Sequence, residues 1–444
     1  MVNAFLRRGS RAVFPARDDR RGVPLHAQGG ASFHAKHDAS SGASAARRGI
    51  FRDVSFRASA ARRGIFRDVS FQASVASLRI FRDVSFRASV ASRGIPLACA
   101  LLFLSSPLHA VTLRVFGSAG AESQLTPANT NSPLNPHNIA RIPLATNVSD
   151  ATTFIDAAPD DRAWKLHLKL RADSSDHASD HGRIGEGYLQ INPTPWLDIT
   201  AGRMIEKWGT GYAWNPTAFI SPRKNPTDPT DRRSAFVGVD AIKTDLFIRG
   251  TNVSLYAMQH QTFAARVYRL IANTDVSLHV FRDRDGSQQG ISVARVFGDS
   301  LELHGEVARR RAVIGTQYTF PHNVNVVAEL YHGGDGLTQR EWLSFCALAS
   351  RDLRSANYAY APLRMARNYA FARVDVPFAR SDFELIAINN LRDHSSIVRA
   401  TLSRKMTSRM SVYVIDTEFL GGDGSEFAYI QIRRATTFGA RVYF

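Results

Sequence analysis

From about residue 111 to the C-terminus, apolar and polar residues alternate with a period of two. The clearest run is Trp164 to Arg171, where Trp164, Leu166, Leu168 and Leu170 interleave with Lys165, His167, Lys169 and Arg171. Successive side chains on a strand point to opposite faces, so this run makes one apolar and one titratable face. Charged groups facing hydrocarbon cost about 2–4 kcal/mol each at mid-bilayer, so the second face must meet water. The final run behaves alike: Ile430, Ile432, Thr436, Phe438, Ala440, Val442 and Phe444 share one phase, opposite Tyr429, Gln431, Arg433, Gly439, Arg441 and Tyr443. A soluble sheet would bury such a stripe under a second layer. Repeated many times, the weak alternating signal predicts a transmembrane β-barrel with lipid outside and water inside.

Strands are expected at about 112–123, 150–158, 163–173, 182–192, 197–208, 235–249, 251–261, 263–272, 275–284, 287–297, 300–310, 312–320, 324–333, 366–378, 381–392, 396–405, 410–419 and 427–444. The fold class is therefore all-β, a closed antiparallel transmembrane barrel of eighteen strands, with sixteen the alternative if the weakest are lost. Phase is lost near Gly202-Arg203, where glycine permits a bulge or bend. Tight turns rich in Gly, Pro, Asn, Asp and Ser alternate with longer segments at 126–147, 208–234 and 333–365. Bacterial barrels have short periplasmic turns and long outer loops, which orients the chain.

Charge changes this picture little. The formal net charge is +17, but residues 1–92 hold 17 Lys/Arg against 6 Asp/Glu, and from 111 onward 38 basic residues face 33 acidic ones. With no basic arm or zinc spacing, nucleic acid is not an expected partner. Within 1–92 a 15-residue unit recurs almost verbatim from Arg47, Arg62 and Ser77. Solenoid repeats run about 20–50 residues and diverge at solvent positions, so these copies read as low-complexity sequence, disordered or translated from repetitive DNA. Arg93, the apolar run Ile95 to Leu104, Pro107 and Ala110 have the form of a secretory signal over 93–110, with cleavage expected after Ala110 and a mature barrel over 111–444. The apolar run is too short to anchor in a bilayer. After cleavage only Cys346 remains, so neither an intrachain disulfide nor a thiolate metal site is expected.

Candidate chemistry is sparse. His394-Ser395-Ser396 and the His332 to Asp335 rim are the neighbourhoods that suggest a hydrolase, but histidine is an ordinary lumen residue in such a barrel. Glu302, His304 and Glu306 share a stripe, yet residues two apart on a strand stand about 7 Å apart, too splayed for a tight metal site. No catalytic residue, metal or cofactor is expected. The expected pore wall comprises Lys165, His167, Lys169, Arg171, Glu302, His304, Glu306, Glu329, Arg373, Glu384, Arg399, Arg433 and Arg441.

One segment is more specific. Gly202-Arg203 ends a strand, Trp208-Gly209 and Asn215-Pro216 follow, and the loop continues through Arg223, Lys224, Asp228, Asp231, Arg232 and Arg233. This resembles Gram-negative outer-membrane porin-like barrels, including those akin to alginate exporters, although Met204 stands where those relatives often have Gln. The resemblance implies a passive channel in the bacterial outer membrane for small hydrophilic solutes or ions; the loop's charges make it the expected plug or constriction, and the cationic ladder from Lys165 to Arg171 on a mixed wall predicts a mild preference for anions. It also implies a surrounding bilayer and lipopolysaccharide, and assembly machinery that reads the terminal Phe444. Trp208, Tyr212 and Trp214 fit either the constriction or an aromatic girdle at the lipid headgroups. A polysaccharide export or assembly barrel is the alternative reading and an outer-membrane hydrolase the lesser one.

Overall fold

The computed structural model describes residues 111–444. The repeats expected over 1–92 and the signal expected over 93–110 lie outside the described residues. Eighteen strands follow one another around a single sheet. They are β1 (Val111–Leu125), β2 (Ala145–Pro159), β3 (Trp164–Ser175), β4 (Ala178–Thr194), β5 (Leu197–Met204), β6 (Val239–Ile248), β7 (Thr251–Met258), β8 (Thr262–Ile271) and β9 (Thr274–Asp283). The second half comprises β10 (Gly286–Phe297), β11 (Leu301–Ala308), β12 (Arg311–Thr319), β13 (Asn325–Gly333), β14 (Asn368–Phe378), β15 (Ser381–Asn390), β16 (Ser396–Thr407), β17 (Met410–Leu420) and β18 (Arg434–Tyr443). Neighbours pair antiparallel, and β18 returns to β1 with Ser118 opposite Tyr443 and Leu125 opposite Thr436. Closure leaves the sheet no free edge, the condition for a β-structure to cross a membrane.

The period-two pattern sorts side chains across the wall. On β9, Leu278 and Val280 are exposed while Ser277 and His279 are buried; on β11, Leu303 and Val307 are exposed while His304 and Glu306 are buried. The outer face is thus apolar and the inner face polar. The seam is completed beyond β18: Gly117 N donates to Phe444 O at 2.9 Å and Phe444 N to Gly117 O at 3.1 Å. The Phe444 ring lies over Gly117, where an added Cβ would meet its Cζ at 2.8 Å.

Both Val111 and Phe444 stand at the end of the barrel whose connections are all short turns. Among these, Arg249-Gly250 and Ala272-Asn273 have positive φ at both residues, the twist that a two-residue hairpin requires. The opposite end carries the connections 126–144, 205–238, 334–367 and 421–433. Short turns mark the periplasmic side, so these long connections face outward.

Several expected boundaries shift. The last strand starts at Arg434 rather than 427, because residues 427–429 form a 3-10 turn and Ile430 packs inside the barrel with Phe427, partly buried Ile432 beside it. The two isoleucines therefore leave the lipid stripe, and Arg433 stands exposed ahead of the ladder rather than on the pore wall. No bulge occurs at Gly202: β5 pairs without interruption through Arg203 on the β4 side and through Met204 on the β6 side. The irregularity lies across the barrel wall on β4, where Gly185 falls between Ile184, opposite Leu170, and Glu186, opposite Lys169. Gly202 instead adopts φ +133°, and a Cβ there would meet Gly187 O at 2.2 Å. The connection 334–367 holds two helices, α1 (Gln339–Arg351) and α2 (Leu353–Ala359). Helix α1 starts on a capping box in which Glu341 N donates to Thr338 Oγ1 and Thr338 N to Glu341 Oε2.

Candidate functional site in the lumen

The connection 205–238 leaves β5, folds into the barrel and runs along the inner wall before returning to β6. After Ile205 N donates to Glu186 Oε1 at 3.1 Å and Glu206 accepts from Tyr256 Oη at 2.9 Å, Trp208, 1% exposed, sets its ring centroid 5.4 Å from Tyr256 on β7 and 5.0 Å from His279 on β9. The backbone then passes over two wall carboxylates. Glu306 on β11 accepts from Thr210 N (2.5 Å), Gly211 N (2.6 Å), Thr217 N (2.9 Å) and Thr217 Oγ1 (2.7 Å). Glu329 on β13 accepts from Tyr212 N, from Ala213 N at 2.9 Å, and contacts His304 Nε2 at 2.9 Å. Both carboxylates are buried and every oxygen has a donor, which is what makes a charge tolerable away from water. His304 also reaches Glu302 at 3.3 Å, so this histidine bridges two acids.

Beyond Ala213 the loop crosses an apolar part of the wall. Trp214 stacks on Tyr331 at 4.9 Å and packs among Phe371, Ile386, Ile388 and Ile397, all turned inward. Trp208, Tyr212 and Trp214 are therefore interior, and the headgroup-girdle alternative does not describe them. Lys224 Nζ ties the loop to itself by donating to Gly211 O at 2.6 Å, and burial lowers its pKa. Arg223 stays exposed; partial dehydration, with Arg364 and Arg311 nearby, brings its guanidinium down to about 10.

The return limb meets the cationic arc. Asp228 lies 3.9 Å from Arg399 on β16, whose guanidinium also donates to Thr227 O. Asp231 caps its own turn by accepting from Ala235 N and Phe236 N. Arg232 pairs with Glu122 on β1 at 3.1 Å and lies over Tyr413, while Arg233 reaches Asp150 at 3.3 Å. Asp150 in turn holds Arg441 at 2.9 Å and Arg171 at 3.4 Å. Lys169 donates to Phe236 O at 3.0 Å.

The inward phase expected for Lys165, His167, Lys169 and Arg171 is present, but the four are not equally open. Lys165 keeps 43% of its side-chain surface, whereas Lys169 and Arg171 are buried beneath residues 233–236. His167 meets Asp156 at 2.6 Å. Arg373 is held by Glu384 at 2.6 Å and lies 5.4 Å from the Tyr212 ring. Arg203 points outward at the upper end of β5 and pairs with Asp240 through contacts of 2.8 and 2.7 Å. Asn215, followed by Pro216, fixes the loop bend: its side chain donates to Pro222 O and accepts from Lys224 N.

The neighbourhoods that suggested a hydrolase are held by local hydrogen bonds. Ser395 Oγ donates to Asp393 at 2.6 Å, and His332 contacts Asn368 at 2.8 Å. The buried contact of His279 with Ser292 (2.9 Å) lies under Trp208, and the second ring nitrogen of His279 has no hydrogen-bond partner among the described residues.

Glu426 is a residue that sequence reasoning missed. It is fully buried in the outer connection 421–433 and accepts from Tyr369 Oη (2.7 Å), Asn390 Nδ2 (2.7 Å) and Leu363 N (2.8 Å). Burial pushes its carboxyl up to about 7 against the pull of those donors. Nearby, Leu134, Trp342, Phe345, Ala356, Met365 and Tyr429 form an apolar cluster that knits connections 126–144, 334–367 and 421–433 together.

No family model matches the sequence, and no curated protein does. Solved structures that it resembles include a triple mutant of the Rhodopseudomonas blastica porin, 11% identical, covering 75% of this chain and 100% of that one with a TM-score of 0.43. Two Pseudomonas aeruginosa structures, OccK5 (OpdH) and OccK11 (OpdR), are 6% and 7% identical, cover 75% of this chain and 98% and 96% of theirs, each with a TM-score of 0.47. On its own hydrogen bonding and its apolar outer face, the chain is a closed eighteen-strand antiparallel β-barrel of the kind that crosses a membrane.

Proposed function

We propose that the chain is a passive outer-membrane channel for small hydrophilic solutes and ions, narrowed by residues 205–238. The observation that supports this reading is the seating of that loop on the wall carboxylates Glu306 and Glu329, inside the barrel. An eighteen-strand barrel is wide enough to enclose a channel, and a loop along its wall reduces the bore without needing a second domain.

A mild preference for anions follows from which charges stay wet. Glu306, Glu329 and Asp150 are buried under the loop, while Lys165 and Arg183 keep 43% and 42% of their side-chain surface and Arg114 and Arg223 are exposed. Exposed charges of one sign raise the local concentration of the opposite ion, an effect that salt screens. Liposome swelling tests the passive pathway: vesicles carrying the folded protein should swell in isosmotic pentose, and more slowly as the sugar grows. Folded protein that leaves vesicles impermeable to pentose contradicts the reading.

A further inference from the structure

At the periplasmic mouth, on the arc from β1 to β4, the wall holds a half-open cleft of about 460 Å³. Its lining includes Thr112, Arg114, Asp156, Asp160, Arg162 and Lys165. The cleft thus sets three cations against two acids, and one acid is already committed: Asp156 contacts His167 at 2.6 Å, with Lys165 3.8 Å away. The guanidinium groups of Arg114 and Arg162 make no hydrogen bond or ion pair among the described residues, and both residues are exposed. They approach from different elements. Arg114 projects inward from β1, opposite Asp156 on β2 in the ladder. Arg162 is held on the turn after β2, where its N–H donates to Pro159 O at 3.0 Å and its φ is 55°.

Two free guanidinium forks with an ammonium beside them offer donors and positive charge and few free acceptors. That is the complement of an oxyanion, since a planar fork matches a carboxylate or phosphate in bidentate fashion. The volume falls within the about 300–1,000 Å³ of pockets that hold small organic ligands. We propose that this cleft is a binding site for a small organic oxyanion, with Arg114 and Arg162 as its principal contacts. Its role rests on the channel reading: an anion leaving the constriction would pause at the inner mouth before release into the periplasm.

Binding can be measured apart from transport. The probes are gluconate and glucose, matched in size and differing in charge, in equilibrium dialysis against the folded protein purified from outer membranes in detergent at low salt. Gluconate should bind saturably and about tenfold more tightly than glucose, and Arg114→Gln or Arg162→Gln should each weaken it about tenfold, as loss of a charge-assisted contact implies. Arg354→Gln, on helix α2 at the opposite end of the barrel, should leave gluconate affinity unchanged. Equal binding of the two sugars, or unchanged gluconate affinity in both Arg114→Gln and Arg162→Gln proteins that remain heat-modifiable, would overturn the site. Conductance with no gluconate binding would reject this cleft alone, whereas gluconate binding without conductance would reject the channel.

Discussion

Gly209 lies against Glu306 so closely that a Cβ on the glycine would stand 2.5 and 2.7 Å from the two carboxylate oxygens. With φ at +90°, Gly209 turns the chain from Trp208, packed on the wall, to Thr210 and Gly211, whose amides point at the same carboxylate. The Trp208-Gly209 motif is therefore a device for laying backbone over a buried charge. Gly209→Ala and Glu306→Gln should both loosen the loop. The amide form cannot accept at both positions, and each buried donor left unsatisfied costs about 1–3 kcal/mol. Limited proteolysis should cleave between residues 205 and 238 in both variants at protease concentrations that spare the parent.

Lys165 and Lys169 should respond differently to charge reversal. Lys165→Glu places a negative charge on the open wall and should move the reversal potential in a salt gradient toward cations, more at low salt. Lys169→Glu removes the donor to Phe236 O from a position 3% exposed and should weaken the return limb of the loop. Its signature is increased current noise and protease sensitivity. An unchanged reversal potential for Lys165→Glu would place that side chain outside the conducting path.

The seam between β1 and the C-terminus predicts an assembly phenotype. Gly117→Leu cannot be accommodated, since its Cβ would meet Thr152 O at 2.3 Å as well as the Phe444 ring. Phe444→Asp keeps the backbone pair but puts a charge on the lipid face. Both should reduce the heat-modifiable folded fraction in membranes, and gel mobility without boiling reads the loss directly.

Glu426 predicts a pH dependence of the outer connections. Its carboxyl is raised from 4.5 to about 7 by burial, so the packed state binds the proton more tightly than the open state does. That contribution is fully present below about pH 4.5 and is lost as pH rises through about 7, on the order of 3 kcal/mol in all. Proteolysis of connections 334–367 and 421–433 should therefore accelerate from pH 5 to pH 8. Glu426→Gln, neutral throughout, should flatten that profile.

Much of this architecture is legible in the sequence because lipid and water sort side chains with a period of two. Trp164 to Arg171 announces its faces without any knowledge of its neighbours. What the lumen contains is not legible in the same way. Trp208, Tyr212 and Trp214 suit a headgroup girdle or an inner wall equally, and only the distant partners Tyr256, His279 and Tyr331 decide between them. Ile430 and Ile432 keep the strand phase yet turn inward, because an apolar cluster around Phe371 and Ile388 receives them. Helix α1 did carry a local signal, Thr338 three residues before Glu341. Glu426 carried none, since its donors Tyr369, Asn390 and Leu363 lie more than thirty residues away.

The most direct test of the account is single-channel conductance in planar bilayers, comparing the folded protein with a heat-modifiable variant in which residues 210–234 are replaced by a short Gly-Ser linker. Discrete steps proportional to salt concentration, increased severalfold by the replacement, are the predicted result. A parent protein that stays silent while folded, or steps of equal size with and without the loop, would contradict a channel constricted by residues 205–238.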